Sequence, residues 1–145
     1  MISSNIQELN EHGKYLSAPS GNSMEPLLHD KKNAVEIVSA VHPLKKGDIS
    51  LHLRDDGTSV LHRIIKVNEG SYLICGDNCV TPELVDADKV IGVATRFYRN
   101  GKWISVTDNR YLLYSQIWVG TFPIRRYLLK AYRICKAFRK RGDHK

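Results

Sequence analysis

The chain has 145 residues and a mass of 16.5 kDa, enough for one domain with a short appendage. Apolar residues make up 42% and charged residues 26%, which supports a packed core and excludes global disorder. The net charge of +7 is uneven: residues 1–124 hold 13 basic and 14 acidic residues, whereas residues 125–145 hold 9 basic and 1 acidic. A neutral body gives no basic face for nucleic acid, so the charge marks the C-terminal segment alone.

The start is polar, without the apolar run of a secretory signal, so none is expected, and no uncharged apolar stretch reaches the roughly 20 residues of a spanning helix. Three cysteines do not form a disulfide framework, and Cys75 and Cys79 lack the partners of a zinc site. Reduced thiols, no metal and no cofactor are expected.

Residues 3–12 read as a short polar helix that Ser3 or Ser4 caps and Gly13 stops. A shaped loop rich in proline and glycine follows. Ala34–Ser39 reads as a strand, and His42–Asp48 as a turn region. Ile49, Leu51 and Leu53 alternate with Ser50, His52 and Arg54, the pattern of a half-buried strand. Asp55-Asp56-Gly57 is a hairpin turn leading into a return strand over 59–67. Asn68-Glu69-Gly70 turns again into Ser71–Cys75. After an irregular stretch, Val90–Tyr98 and Lys102–Val106 form a hairpin about Asn100-Gly101. Residues 110–141 change to a helical period. The predicted fold is mainly β, with a short N-terminal helix and a C-terminal helical tail; the predicted boundary separates residues 1–108 from 109–145.

The loop Gly21-Asn22-Ser23-Met24-Glu25-Pro26 holds a serine in a constrained turn that can present its hydroxyl clear of the backbone. Such a serine is inert without a base to take its proton. His62 is the candidate base, because alternation puts it among apolar neighbours on the face of Val60 and Ile64, and such surroundings keep the imidazole neutral. Among the remaining histidines, His52 belongs to an apparently polar strand face. Cys75-Gly76-Asp77-Asn78 closes a strand, and Asp77 can orient His62; Asp86 and Asp88 compete for that role.

Taken together, these segments resemble the signal peptidase I and LexA-like serine peptidases. GNSMEPLL resembles the serine box, Lys46-Gly47-Asp48-Ile49 the Gly-Asp box, Leu61–Ile65 the strand of the general base, Cys75–Asn78 the Gly-Asp-Asn box and Val90–Val93 the strand after it. The likeness spans residues 15–98. Histidine rather than lysine at the base position is similar to the Ser-His signal peptidases. The resemblance implies a LexA/signal-peptidase-like β-ribbon domain, with Ser23 as nucleophile, His62 as base and an orienting aspartate. Asp86 matches the later aspartate of that type with stretched spacing; Asp77 matches the Gly-Asp-Asn box and supports the site. The Ser23 N–H is the implied oxyanion donor, and Ser20, Gly21, Asn22 and Met24 surround it. The implied substrate is a peptide or precursor protein held as an extended strand. Two alternatives stand beside this reading. One is a LexA-like self-cleaving regulator, against which only 22 residues, without an Ala-Gly pair, precede Ser23. The other is a non-catalytic peptide-binding β-domain.

In the tail, Ile124, Leu128, Ala131, Cys135 and Phe138 recur at helical spacing beside Tyr127 and Ile134, with basic residues over the remaining surface. Such a helix suits the interface of an anionic membrane, expected through residues 111–141, on a cytoplasmic protein held peripherally. Two competing readings stand beside it: the apolar stripe docks on the β-domain or on a second copy, or the basic helix tracks nucleic-acid phosphates, for which the body offers no basic face to extend the footprint.

Overall fold

A computed structural model describes residues 4–142. Helix α1 (Ser4–His12) leads into β1 (Lys14–Ser17), β2 (Ala34–Ser39), β3 (Ile49–Leu53), β4 (Ser59–Asn68), β5 (Ser71–Cys75), β6 (Glu83–Asp86), β7 (Val90–Arg99) and β8 (Lys102–Ser105). Helices α2 (Asn109–Gly120) and α3 (Arg125–Gly142) complete the chain. Ser3, one of the two expected caps of α1, lies outside the described residues. Gly13, at φ 72°, ends α1 where the left-handed backbone region is needed.

The eight strands form one antiparallel sheet in the order β1-β2-β7-β3-β4-β5-β6, with β8 also on β7. The turns fall where their residues require them: Asn100 and Gly101 have φ 51° and 78°, the positive pair of a tight two-residue hairpin. Two long strands change partners along their length. β7 keeps β2 on one edge while its other edge passes from β3 to β8. β4 pairs with β3 up to Arg63 and with β5 from Arg63 onward, with a register shift between Ile64 and Lys66. Such shifts bend and twist a strand, and this one lies where β4 exchanges β3 for β5 as its partner.

Two apolar clusters stabilise the halves. The larger joins Leu9, Tyr15, Leu28, Ile37, Leu51 and Phe97; the smaller joins Leu44, Ile64, Tyr72, Ile74, Val85 and Val90.

The alternation expected in β3 is overturned. Ser50 and His52 are buried together with Ile49 and Leu51, because β6 folds back and lays Glu83 over the side that carries His52 and His62. β6 itself belongs to the stretch expected to be irregular. Its four residues are too few for a period, and it forms only by pairing with β5.

The expected boundary at 108 falls inside a packed unit. Asp108 caps α2, accepting from the Arg110 and Tyr111 amides, and Tyr111, Ser115 and Val119 are buried against the sheet. Among the described residues no helix is long and apolar enough to cross a membrane.

Candidate active site

Ser23 sits in the turn between β1 and β2. Gly21, at φ 82°, opens that turn and donates its amide to Asp30 at 2.8 Å. Met24, Leu27 and Leu28 are buried in the main core and anchor the turn from below. The Cys75–Asn78 segment meets it from the opposite side. The Asn78 amide donates to the Ser23 carbonyl at 2.8 Å, and Asn78 Nδ2 donates to the Asn22 carbonyl at 3.0 Å. Two loops distant in sequence are thereby stapled together.

Gly76 is the point of closest approach. A Cβ there would stand 2.5 Å from the Ser23 carbonyl oxygen and 3.0 Å from His62 Nε2. Only glycine allows the serine turn and the imidazole to converge over this backbone. Ser23 and His62 both line one cleft of about 500 Å³, without a direct hydrogen bond between their side chains. Tyr15, Ser17, Ser20, Gly21, Met24 and Cys79 also line it. Ser20 is exposed at its rim, and Asn22 contributes through its carbonyl. Cys79, read from sequence only as a reduced thiol without zinc partners, belongs to the cleft wall: its thiol would also stand 3.0 Å from that Cβ, and burial pushes its pKa up, away from the reactive thiolate.

The other imidazole nitrogen of His62 faces a carboxylate, but neither expected aspartate supplies it. Glu83 Oε1 lies 3.6 Å from His62 Nδ1, 3.3 Å from His52 Nε2 and 2.9 Å from Arg54 Nη2. The contacts to the two rings lie off the hydrogen-bond line, so His62 Nδ1 and both nitrogens of His52 are buried without partners. Asp86, three positions along β6, is exposed and pairs across to Ser71; an odd separation on a strand turns it to the opposite face from Glu83.

Asp77 is fully buried and engaged elsewhere. Its carboxylate accepts from Arg63 Nε at 2.8 Å, Arg63 Nη2 at 2.9 Å and the Tyr114 hydroxyl at 2.9 Å. Arg63 spends its remaining donors on the Gly47 carbonyl, the Tyr111 hydroxyl and Ser115. A buried guanidinium charge is costly unless it is paired and hydrogen-bonded; for Arg63 the ion-pair partner is Asp77, one residue away from the point where His62 and Ser23 meet. It supports the site through the backbone of Gly76 and Asn78 rather than by touching His62.

Charge at the site follows from these contacts. Burial lowers the His62 pKa to about 4, His52 adds to the depression, and Glu83 opposes it. Burial likewise lowers His52. Burial works against the charge on Glu83, yet the Arg54 hydrogen bond and the neighbouring histidines hold its carboxyl below the ordinary range. The result is a neutral imidazole beside an ionised carboxylate at neutral pH, the pair of states a general base requires. Nδ1 is the nitrogen turned toward Glu83 and Nε2 the one beside Gly76 and the serine turn, so a proton carried on Nδ1 would leave the Nε2 lone pair on the serine side.

The signal that points to Glu83 is faint in sequence: one acidic residue ahead of Leu-Val in a short segment. Only the β4-β5-β6 order places it above His62. Among the described residues no group of three or more His, Cys, Asp or Glu side chains is arranged to hold a metal ion. No protein-family model matches the chain, and no curated protein matches it.

Proposed function

We propose that this protein is a serine endopeptidase of the signal-peptidase type, built on a LexA/signal-peptidase-like β-domain and cleaving a precursor or leader peptide. The observation that carries the reading is the convergence of Ser23 and His62 over Gly76 in one cleft.

In this mechanism His62 Nε2 takes the Ser23 hydroxyl proton as Oγ attacks the peptide carbonyl. The Ser23 amide donates to the developing oxyanion, with Ser20 at the rim as a second donor. Glu83 holds the imidazole orientation and stabilises the imidazolium, the role that sequence would give to Asp86 or Asp77. His62 then returns the proton to the leaving amine, and water releases the acyl group. Among the described residues no strand pairs with the outer side of β1, whose last residue, Ser17, lines the cleft with Ser20 beyond it, so an extended substrate can add there as a further strand. The enzyme would work on the cytoplasmic face of a membrane, held peripherally.

Digestion of a peptide library by the full chain, read by mass spectrometry, tests the proposal. Cleavage is expected after small residues. Ser23→Ala and His62→Ala should each lower turnover by about 10³-fold or more in chains that still unfold cooperatively. Wild-type turnover in the Ser23→Ala chain would overturn the serine mechanism; a wild-type chain that folds and binds peptides without cutting them would favour the peptide-binding alternative.

A further inference from the structure

Helix α3 divides into three faces. At about 100° per residue, Arg125, Leu129, Tyr132 and Lys136 fall on one side, and this side meets the body. Arg125 and Leu129 are each 1% exposed. Arg125 donates to the Gly76 carbonyl at 3.1 Å, and Lys136 donates to Glu25 at 2.7 Å. Arg126, Lys130, Arg133, Lys140 and Arg141 form a basic flank beside it. The third face holds Tyr127, Leu128, Ala131, Ile134, Cys135 and Phe138, and it points away from the body. Tyr127 is 60% exposed, Ile134 48% and Phe138 66%. The stripe that a docked amphipathic helix would bury is therefore the one left uncovered. On α2, Leu113 and Ile117 are likewise exposed, on the side opposite its buried Tyr111, Ser115 and Val119.

We propose that this apolar face and its basic flank seat the protein on an anionic lipid surface, with α3 lying in the plane of the headgroups. The inference deepens the peripheral placement proposed above, and it stands independently of the chemistry at Ser23. Charge complementarity selects the occupant. No acidic residue occurs between Asp108 and Asp143, and residues 125–145 carry a net charge of +8. A second copy would bring two such segments together against their mutual repulsion. A polyanion without an apolar phase would satisfy the arginines and leave Phe138, Ile134 and Tyr127 in water. An anionic bilayer surface accepts both faces at once. Because the docked side of α3 holds the Gly76 carbonyl and Glu25, the cleft would lie about one helix diameter, roughly 10 Å, from the lipid.

Flotation of the full chain with vesicles tests this, comparing pure phosphatidylcholine with equal parts of phosphatidylcholine and phosphatidylglycerol. The chain should float with the anionic vesicles, less so at high salt and weakly with the neutral ones. Joint Ile134→Asp and Phe138→Asp substitution should lower partition into anionic vesicles by at least about tenfold, the effect of withholding even one large apolar side chain from the interface. Both residues are exposed, so the fold should survive, which the unfolding midpoint checks. Cys135 gives a second reading without mutation: peptide mapping should show it modified by a water-soluble maleimide in free solution and protected on anionic vesicles. Ser23→Ala should float as wild type does, so loss of proteolysis and loss of lipid binding stay separable. Equal flotation of wild-type and doubly substituted chains, an unprotected Cys135, or a vesicle-free dimer abolished by the same substitutions would overturn the proposal.

Discussion

His62, the proposed base, is held neutral by its surroundings. Its lowered pKa, about 4, follows from burial first and from the neighbouring His52 second. A general base must be unprotonated, so kcat/KM should stay flat through neutral pH and fall only as the pH approaches 4, well below the ordinary histidine range. Glu83 bears on the same imidazole through Nδ1. In Glu83→Gln the acid limb should move lower still, because the charge that favours the imidazolium is gone. Turnover should drop by about tenfold or more as the ring loses its electrostatic partner. A pH–rate profile of both chains checks the two effects together; an Asp86→Asn chain with the larger loss would restore the aspartate assignment.

At the scale of elements, the β4–β5 arm and α2 are joined by one buried ion pair. Burial disfavours the charge on Arg63, but Asp77 more than offsets it and raises the guanidinium pKa. The pair sits between Arg63 on β4, the turn after β5, and Tyr111, Tyr114 and Ser115 on α2. Removing Asp77 strands a fully buried arginine. Asp77→Ala should therefore lose about 3–5 kcal/mol, measured by denaturant unfolding, far more than an exposed carboxylate such as Asp86. For the same reason a chain ending at residue 108 removes partners of this cluster and should fold poorly. The role of α2 was not legible in its sequence: an uncharged stretch with a weak period reads as an appendage until its tyrosines are seen bonded under the Gly-Asp-Asn turn.

Across the whole molecule, two buried histidines make stability depend on pH. His52 and His62 both have depressed pKa values in the folded state, while the unfolded chain protonates near the ordinary 6.5. Between pH 6.5 and about 4 the unfolded state therefore binds more protons. The stabilisation is complete above 6.5 and is lost as the pH falls, at up to about 1.4 kcal/mol per pH unit for each histidine that refuses its proton. Thermal unfolding midpoints at pH 7 and pH 5 should show this drop, and a chain carrying His52→Gln and His62→Gln should flatten it. The net charge belongs to the same scale: the site lies in a nearly neutral body, and the basic excess is displaced onto α3.

The amino-acid sequence by itself determined the β-rich class, the hairpins at Asp55–Gly57, Asn68–Gly70 and Asn100–Gly101, the helical ends, the candidate Ser23–His62 pair and the charge division. The elements, turns and charge division rest on short-range rules, namely turn chemistry, a period of two or 3.6, and local composition; the pairing of Ser23 with His62 rests on the resemblance of their flanking segments to the Ser-His signal peptidases. Only the tertiary structure decided that Glu83 rather than Asp86 or Asp77 faces His62, that His52 is buried beside it, and that α3 turns its apolar stripe outward. Those outcomes depend on which strand folds over which and on which helix face finds an anchor. β6 has no strand character until β5 pairs with it, and the docked side of α3 is the one that carries buried Arg125, hydrogen-bonded to the Gly76, Cys79 and Trp118 carbonyls, and buried Leu129.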